Sequence, residues 1–371
     1  LARWRAPMSH DSMRGTVAFG LLPASVAPPE LGGTEGHHYW DDVWAVRGLR
    51  DAAWLAGLAG RAADSAAWAA EADAVARAVR VSARQAILVS RKEWIPLAPE
   101  HLDAPGAARS TCEGLWPAAG FDAADTLVRS SFDRYWEMWL APRGGALEMG
   151  GVVWTHGIAL GGCAVRLDRP ARAHAILRRH LARPTVPGTW GWAERVDPET
   201  FAYAGGALPG AWPAAEYALL VRALAAYEEG DTLVLGAGLP PAWLHAGVAL
   251  RAAPTALGLV TAEARLRGGA AGPVVWAVEA PARAKALRIA APAGGRLREA
   301  VIDGGWRRAL DGARSVVVPP DVRTVELHWE PVTGARGTGR GVRARPPVAA
   351  GSRTRPRRSC ACRTRSTRGP R

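Results

Sequence analysis

The chain has 371 residues, which is enough for two or three domains with a large core, and 49% of them are hydrophobic. The hydrophobic residues nowhere form the run of about 18 that a membrane-spanning helix needs, so the sequence predicts no membrane partner. Twelve arginines and no lysine or acidic residue lie between Arg336 and Arg371. Removing those charges from the formal net charge of +13 leaves +1, so no nucleic-acid partner is predicted.

Both ends of the chain have little regular pattern. Residues 1–35 form an irregular lead-in rich in proline and glycine, and its start, LARWRAPMSH, contains no visible signal peptide, which favours the cytoplasm. Residues 333–371 hold no aromatic side chain, and only Val342 and Val348 are aliphatic residues larger than alanine. We therefore expect a disordered tail. Because the chain has 45 arginines and two lysines, a frameshifted end of a GC-rich gene is a second interpretation.

Apolar spacing predicts a series of helices between residues 36 and 246. The first covers 41–59, with Val43 and Val46 on one face and Trp40 and Trp44 along another. An alanine-rich helix follows, and the later predicted helices cover 122–140, 152–166, 170–183 and 212–229. The sequence therefore predicts a domain of α/α-hairpins over 36–246.

The pattern changes near residue 247. Segments such as GPVVWAVEAP and SVVVPPDVRTVELHWEPV are short and rich in β-branched residues, and glycine and proline separate them at intervals of roughly 10 to 15 residues. This pattern predicts a small β-sandwich domain over 247–332.

The segment GHHYWDD opens the first helix with more polar and aromatic groups than a helix start requires. Either Asp41 or Asp42 can cap the helix, and the helix dipole keeps a carboxylate there ionised. An ionised carboxylate beside aromatic rings is also suited to binding sugar hydroxyl groups. A cap, a core tryptophan and exposed histidines explain the same segment equally well. The groups left over after one cap are His37, His38, Tyr39 and Trp40.

Two later segments combine an acid with tryptophans. In TWGWAERVDPET, Glu194 lies in a loop shortly after Trp190 and Trp192, and catalytic groups concentrate in loops on rigid scaffolds. A solvated loop charge is the alternative interpretation. In LPGAWPAAEYALL, Trp212 and Glu216 are one turn apart at a helix start, so both can face one cavity. Glu216 is alternatively an ordinary acid of a first helical turn.

Five segments together resemble a known family: GHHYWDDVWAVRGLRDAA, GTWGWAERVDP, PGAWPAAEYALLVRALAAYEEGDTLVL, LPPAWL and APTALGLVTAEARL. They resemble the bacterial six-hairpin glycosidases, which are α/α-toroid proteins related to glucoamylase and the α-L-rhamnosidases. The resemblance runs from about Gly20 to Pro331. It implies a mainly α fold, an α/α toroid that is incomplete at its N-terminus, followed by a small C-terminal β-sandwich.

The resemblance also implies roles for individual residues. The Asp41–Asp42 pair is similar to the aspartate that contacts the cleaved sugar in glucoamylase-type enzymes, and Glu194 is similar to the general base of the rhamnosidase branch. The candidates for the general acid are Glu30 and Glu35, by similarity to rhamnosidases, and Asp103 and Glu113, by similarity to glucoamylase. The residues expected to bind the sugar are His37, His38, Tyr39, Trp40, Trp44, Trp190, Trp192, Trp212 and Glu216.

We therefore expect a glycoside hydrolase that acts on the terminal sugar of a glycan or glycoside with inversion at the anomeric carbon. Glu194 would deprotonate the attacking water and Asp42 would hold sugar hydroxyl groups. This chemistry requires no metal and no cofactor. The alternatives are a non-catalytic carbohydrate-binding protein, a glycan phosphorylase and a polysaccharide lyase. The sequence leaves the sugar, the linkage and the oligomeric state open.

Overall fold

A computed structural model describes residues 2–184, 191–269 and 272–332. The predicted disordered tail over 333–371 therefore lies outside the described residues. Within them, no helix is both long and apolar enough to cross a membrane. The α-helices are α1 (Ala2–Arg5), α2 (Tyr39–Leu58), α3 (Ala62–Ser90), α4 (Gly106–Leu115), α5 (Thr126–Tyr135), α6 (Ala159–Arg166), α7 (Pro170–Leu181), α8 (Ala211–Ala225) and α9 (Pro241–Ala246).

Helices α2 and α3 confirm the first two predicted helices and pack against each other as a hairpin. The face of α2 that holds Val43 and Val46 is fully buried, and α3 buries Val75 and Val79 in the same core. Burying four such side chains removes enough apolar surface to contribute several kcal/mol, at about 1.5 to 3 kcal/mol each. The hairpin therefore has one face in the core and one face exposed to solvent.

Helix α4 is the centre of the helical region. Each of its ten residues is buried, and it packs against α2, α5 and α6. Small residues (Gly106, Ala107, Ala108 and Gly114) allow its neighbours to approach closely. Helix α6 in turn packs against α7 and α8. Polar side chains on α4 are consequently surrounded by other elements rather than by solvent.

The strands form four sheets among the described residues. Sheet order is β1-β2, β3-β4-β5-β6, β7-β8-β12-β15 and β9-β10-β11-β16-β13-β14. All pairs are antiparallel except β8 with β12. The strands are β1 (Ser25–Val26), β2 (Glu35–Gly36), β3 (Glu148–Met149), β4 (Val152–Trp154), β5 (Arg195–Val196), β6 (Tyr203–Gly205), β7 (Ala226–Glu229), β8 (Thr232–Leu235), β9 (Val248–Thr255), β10 (Gly258–Leu266), β11 (Val274–Glu279), β12 (Ala286–Ala290), β13 (Gly295–Ile302), β14 (Trp306–Ala309), β15 (Ser315–Val318) and β16 (Thr324–Pro331).

The predicted mainly α toroid is wrong. Strand makes up about 24% of the structure, and one sheet has six strands, so the fold mixes helices and sheets. Part of this strand content lies inside the region that was expected to be purely helical. There, β3 to β6 form a sheet from segments of two or three residues, which are too short to show the alternating pattern of a strand.

The second half of the chain has a hydrophobic core of its own that begins before residue 247. This core includes Leu233 and Leu235 of β8, together with Trp276 of β11 and Leu327 of β16. Strands β7 and β8 form a hairpin around Gly230, which has a φ of +57°. The helix expected to reach residue 229 therefore ends at Ala225, because AYEEGDTLVL pairs with itself across a turn that favours glycine.

Replacing two glycines by alanine, one at a time, should distinguish the effect of close packing on stability from the effect of helix propensity. A Cβ at Gly106 would lie 2.8 Å from the backbone oxygen of Leu31, whereas one at Gly48, on an exposed turn of α2, meets nothing within 4 Å. Gly106→Ala should lower the free energy of unfolding by about 1 to 3 kcal/mol through overpacking. Gly48→Ala should raise it by about 0.5 to 1 kcal/mol. Denaturant unfolding of both variants measures this, and equal effects would contradict the packing of α4 described here.

Candidate functional site

A cavity of about 430 Å³ lies between α2, α4, α6 and α8. Most of its wall is apolar, with three indole rings, and a few charged groups interrupt that wall. This combination is typical of small-molecule sites. We call it the tryptophan cavity, and it is lined by Trp44, Arg109, Cys112, Glu113, Trp116, Pro117, Ala159, Leu160, Trp212, Glu216 and Leu219.

Three pairs of residues with the same helical spacing supply most of the polar and aromatic groups at or beside this cavity. Residues four apart on a helix lie on one face, one turn above the other. Each of three helices contributes such a pair, so three helix faces meet at one place. The pairs are Trp40 and Trp44 on α2, Arg109 and Glu113 on α4, and Trp212 and Glu216 on α8.

The carboxylate of Glu113 accepts three hydrogen bonds. Its Oε2 accepts from Nε1 of Trp40 at 2.5 Å and from Nε1 of Trp44 at 2.9 Å. Its Oε1 accepts from Nε of Arg109 at 2.5 Å. Glu113 is 5% exposed and Arg109 is 1% exposed, so this ion pair is buried. Removing one partner of such a pair costs about 3 to 5 kcal/mol, because the other charge is left uncompensated.

Arg109 connects Glu113 to α8 through aromatic rings. Its guanidinium carbon lies 4.1 Å from the ring centroid of Trp212, and its Nη1 is hydrogen-bonded to Nε2 of His156. The His156 ring stacks on Trp212 with centroids 4.6 Å apart. Burial, followed by the charge of Arg109, lowers the pKa of His156 to about 2. His156 is therefore neutral, and it accepts the hydrogen bond from Arg109.

Glu216 is the second carboxylate at the cavity and is only half-buried. Its Oε1 accepts from Nε1 of Trp212 at 3.2 Å. Burial raises the pKa of Glu216, and the charge of Glu113 raises it further, against the opposing effects of Trp212 and Arg109. Two carboxylates with different environments thus face one cavity, which is how proteins assign different proton-transfer roles to the same residue type.

The structure brings together some of the residues predicted from sequence. Trp44, Trp212 and Glu216 line the tryptophan cavity. Trp40 donates a hydrogen bond to Glu113, which also lines it. Of the four candidates for the general acid, Glu113 lines the cavity. The others lie elsewhere: Glu30 in the turn Pro29–Leu31, Glu35 exposed in β2, and Asp103 in an ion pair with Lys92.

Asp41 and Asp42 do not cap α2, contrary to the prediction. The helix begins at Tyr39 and its N-cap residue is His38. Asp41 accepts a hydrogen bond from the Ser25 hydroxyl, and Oδ1 of Asp42 accepts from the backbone N–H of Leu22 at 2.8 Å. Neither aspartate lines the tryptophan cavity. They bind the lead-in segment to the helix.

The remaining members of the HHYW segment also contact protein groups. His37 is paired with Glu100, with 2.8 Å between Nδ1 and Oε1. The buried His38 ring hydrogen-bonds the carbonyl of Thr34, and its centroid lies 5.6 Å from that of His101. The hydroxyl of Tyr39 lies 2.9 Å from that of Ser82. These three side chains stabilise the start of α2.

The loop acid Glu194 is separate from the cavity as well. Its Oε2 accepts a hydrogen bond from the backbone N–H of Ala207 at 3.1 Å. Trp192 is buried, and its Nε1 donates to the carbonyl of His180 at 3.0 Å. Trp190 lies outside the described residues. Glu194 is therefore bound to the loop after β6 and Trp192 to α7, and neither lines the tryptophan cavity.

The sequence patterns did not single out Arg109 and Trp116. Arg109 lies in GAARSTCEGL, four residues before Glu113, in a helix whose other residues are mostly small. The pattern that could have indicated Arg109 is a charged pair four residues apart in a helix of small residues. Such a helix is easily buried, so a charged pair in it is expected to be buried as well. Trp116 follows the end of that helix and carried no pattern of its own.

No family model matches this chain, and no curated protein matches it either. Within the described ranges, no group of three or more histidine, cysteine, aspartate or glutamate side chains is placed to hold a metal ion.

The pH dependence of stability should reveal the buried carboxyl group of Asp42. Burial raises its pKa from 3.8 to about 7, so between these values the folded protein keeps a proton that the unfolded chain has released. The free energy of unfolding should therefore fall as pH rises through this window and then level off. The free energy of unfolding of the unaltered chain should fall by about 4 kcal/mol more than that of Asp42→Asn over this window, at about 1.36 kcal/mol per pKa unit. A difference between the two proteins that is constant with pH would contradict this.

Proposed function

We propose that the chain is a glycoside hydrolase that binds a terminal sugar in the tryptophan cavity. The observation that carries the proposal is the pair of carboxylates, Glu113 and Glu216, that faces one cavity walled by Trp44, Trp116 and Trp212. Glycosidases need two carboxyl groups on either side of the scissile bond. Indole rings supply flat apolar surface with a polar edge, which suits the C–H face of a sugar ring.

Glu216 is assigned the role of general acid. A general acid must hold a proton near neutral pH and release it to the glycosidic oxygen as the bond breaks. Burial and the negative charge of Glu113 both raise the pKa of Glu216, which increases its protonated fraction. The half-buried position of Glu216 also allows it to regain a proton from water between turnovers.

Glu113 is assigned the role of the second carboxylate. A carboxylate has about four lone-pair sites, and Trp40, Trp44 and Arg109 use three of them. The remaining site is available to accept a proton from an attacking water. The fixed negative charge also stabilises the positive charge that develops on the sugar ring. With Glu113 activating the water and Glu216 protonating the leaving oxygen, the proposed reaction inverts the anomeric carbon in one displacement.

Glu194, which the sequence favoured as the base, and Asp42, which was expected to hold sugar hydroxyl groups, are not part of this assignment. Asp42 is 1% exposed and hydrogen-bonded to Leu22, so a sugar has no access to it. The carboxylate of Glu194 is engaged with the backbone of Ala207. The proposal therefore moves the acid and base roles to Glu216 and Glu113 while keeping the same reaction class.

A non-catalytic carbohydrate-binding protein is the second candidate. The observation that favours it is the engagement of Glu113 with three donors, which resembles a structural ion pair as much as a catalytic base. Both candidates predict that a sugar binds in the tryptophan cavity. They differ in whether the bound glycoside is cleaved.

Glu216→Gln should abolish most of the activity while the variant still binds sugar. Loss of a general acid lowers kcat by about a hundredfold to ten-thousandfold, with the smallest loss on aryl glycosides that have good leaving groups. Hydrolysis of a panel of aryl glycosides measures this, and calorimetry with the matching free sugars measures binding. Glu194→Gln should retain activity, and Glu199→Gln, at an exposed residue of the same loop, is the matched control. Full activity of Glu216→Gln would contradict its role, and sugar binding with no turnover by the unaltered chain would favour the second candidate.

The anomeric configuration of the first product should be opposite to that of the substrate. An inverting enzyme releases the β-sugar from an α-glycoside in one displacement, whereas a retaining enzyme passes through a covalent intermediate and releases the α-sugar. Proton NMR of the fresh product, recorded before mutarotation, distinguishes the two. Retention would contradict the assignment of Glu113 as the base.

A further inference from the structure

A second cavity, of about 320 Å³, lies where the segment before α5, the end of α6 and the sheet β7-β8-β12-β15 meet. Four arginines line it, together with the ring of Tyr227 and Ser315. We call it the arginine cavity. The arginines are Arg129, Arg166, Arg288 and Arg314.

Two of the four arginines are neutralised by acids that line the same cavity. Arg288 forms an ion pair with Glu229, and Nε of Arg314 lies 2.9 Å from Oδ1 of Asp168. A third acid at the cavity, Asp122, accepts a hydrogen bond from the backbone N–H of Ala124 at 2.8 Å. The two ion pairs therefore leave the other two arginines without a carboxylate partner.

Arg129 and Arg166 form no ion pair with any residue that the structure describes. Arg129 donates one hydrogen bond, from Nη1 to the carbonyl of Ala123 at 3.2 Å. Arg166 donates one long hydrogen bond, from Nη1 to the carbonyl of Gly162 at 3.5 Å. Each guanidinium has five N–H donors, so most of these donors have no protein acceptor.

Arg166 is the more unusual of the two because it is only 8% exposed. Its guanidinium carbon lies 4.3 Å from the ring centroid of Trp116 and 4.5 Å from that of Tyr227. Burial lowers its pKa to about 10, so the group remains charged at neutral pH. A buried charge without an ion-pair partner is costly, and an anion in the cavity would compensate it.

We propose that the arginine cavity binds the phosphate group of a small molecule, either inorganic phosphate or a phosphate monoester. The edge of the Arg166 guanidinium, held between two rings, presents the planar fork that binds an oxyanion through two parallel hydrogen bonds. Arg129 supplies a second positive charge, and the Ser315 hydroxyl is an additional donor. The cavity is larger than a phosphate ion, so a sugar phosphate also fits it.

This inference does not depend on the proposed hydrolase activity, because the arginine cavity and the tryptophan cavity have no lining residue in common. They are nevertheless neighbours: Arg166 packs against Trp116, which lines the tryptophan cavity. Binding can therefore be measured directly, and a failed binding test leaves the proposed function untouched.

Isothermal titration calorimetry of the full chain with inorganic phosphate tests the proposal. The unaltered chain should bind phosphate, and Arg166→Met should weaken binding by about tenfold or more, since a charge-assisted bidentate contact is lost. Arg129→Gln should weaken it by a smaller factor. Arg308→Gln, at an exposed arginine of β14, is the matched control and should bind like the unaltered chain. All four proteins retain the arginine-rich segment 336–371, so phosphate bound there cancels in the comparison.

A sugar phosphate and its parent sugar, titrated in parallel, distinguish the two sources of the phosphate group. Tighter binding of the sugar phosphate than of inorganic phosphate identifies a monoester, and equal affinity identifies the free ion. The proposal fails if millimolar phosphate gives no binding, or if both Arg166→Met and Arg129→Gln bind like the unaltered chain. If Arg166→Met does not fold, the result for Arg129→Gln decides by itself.

Discussion

The arrangement of α2 against α4 depends on the buried carboxylate of Glu113. A carboxylate that is 5% exposed is stable as an ion only when it is paired and fully hydrogen-bonded. Arg109 on the same helix supplies one donor, and the indole N–H groups of Trp40 and Trp44 on α2 supply the other two. Because Trp40 and Trp44 donate to one oxygen atom, α2 cannot rotate or shift along α4 without losing two charge-assisted hydrogen bonds.

The contact between α4 and α8 is of a different kind, and this difference separates the two carboxylates. Arg109 reaches α8 through the face of Trp212 and through the neutral ring of His156, which tolerate small displacements better than an ion pair does. Glu216, on that helix, accepts a single long hydrogen bond from Trp212. The position of Glu113 is consequently fixed by three hydrogen bonds, whereas Glu216 is half-buried and is held by one.

The sequence predicted local elements well and their assembly poorly. Helices α2 and α3 followed from apolar spacing, which depends only on nearby residues. Strands of two or three residues, such as β3 and β5, form only because distant segments meet, so no window of the sequence displays them. Likewise, Trp40 and Glu113 are 73 residues apart, and their hydrogen bond follows from the packing of α2 on α4. The mainly α fold was wrong for this reason.

The HHYWDD segment explains why only some of the residues predicted to form the site lie together. Neighbours in a helix differ in direction by about 100°, whereas residues four apart share a face. The side chains of the helical part of the segment therefore point to different surroundings: Asp41 and Asp42 contact the lead-in segment, whereas Trp40 contacts Glu113. The side chains that meet around Glu113 are instead the i and i+4 pairs on three helices. On helices, the spacing of polar and aromatic residues indicates which side chains lie together better than their density along the sequence does.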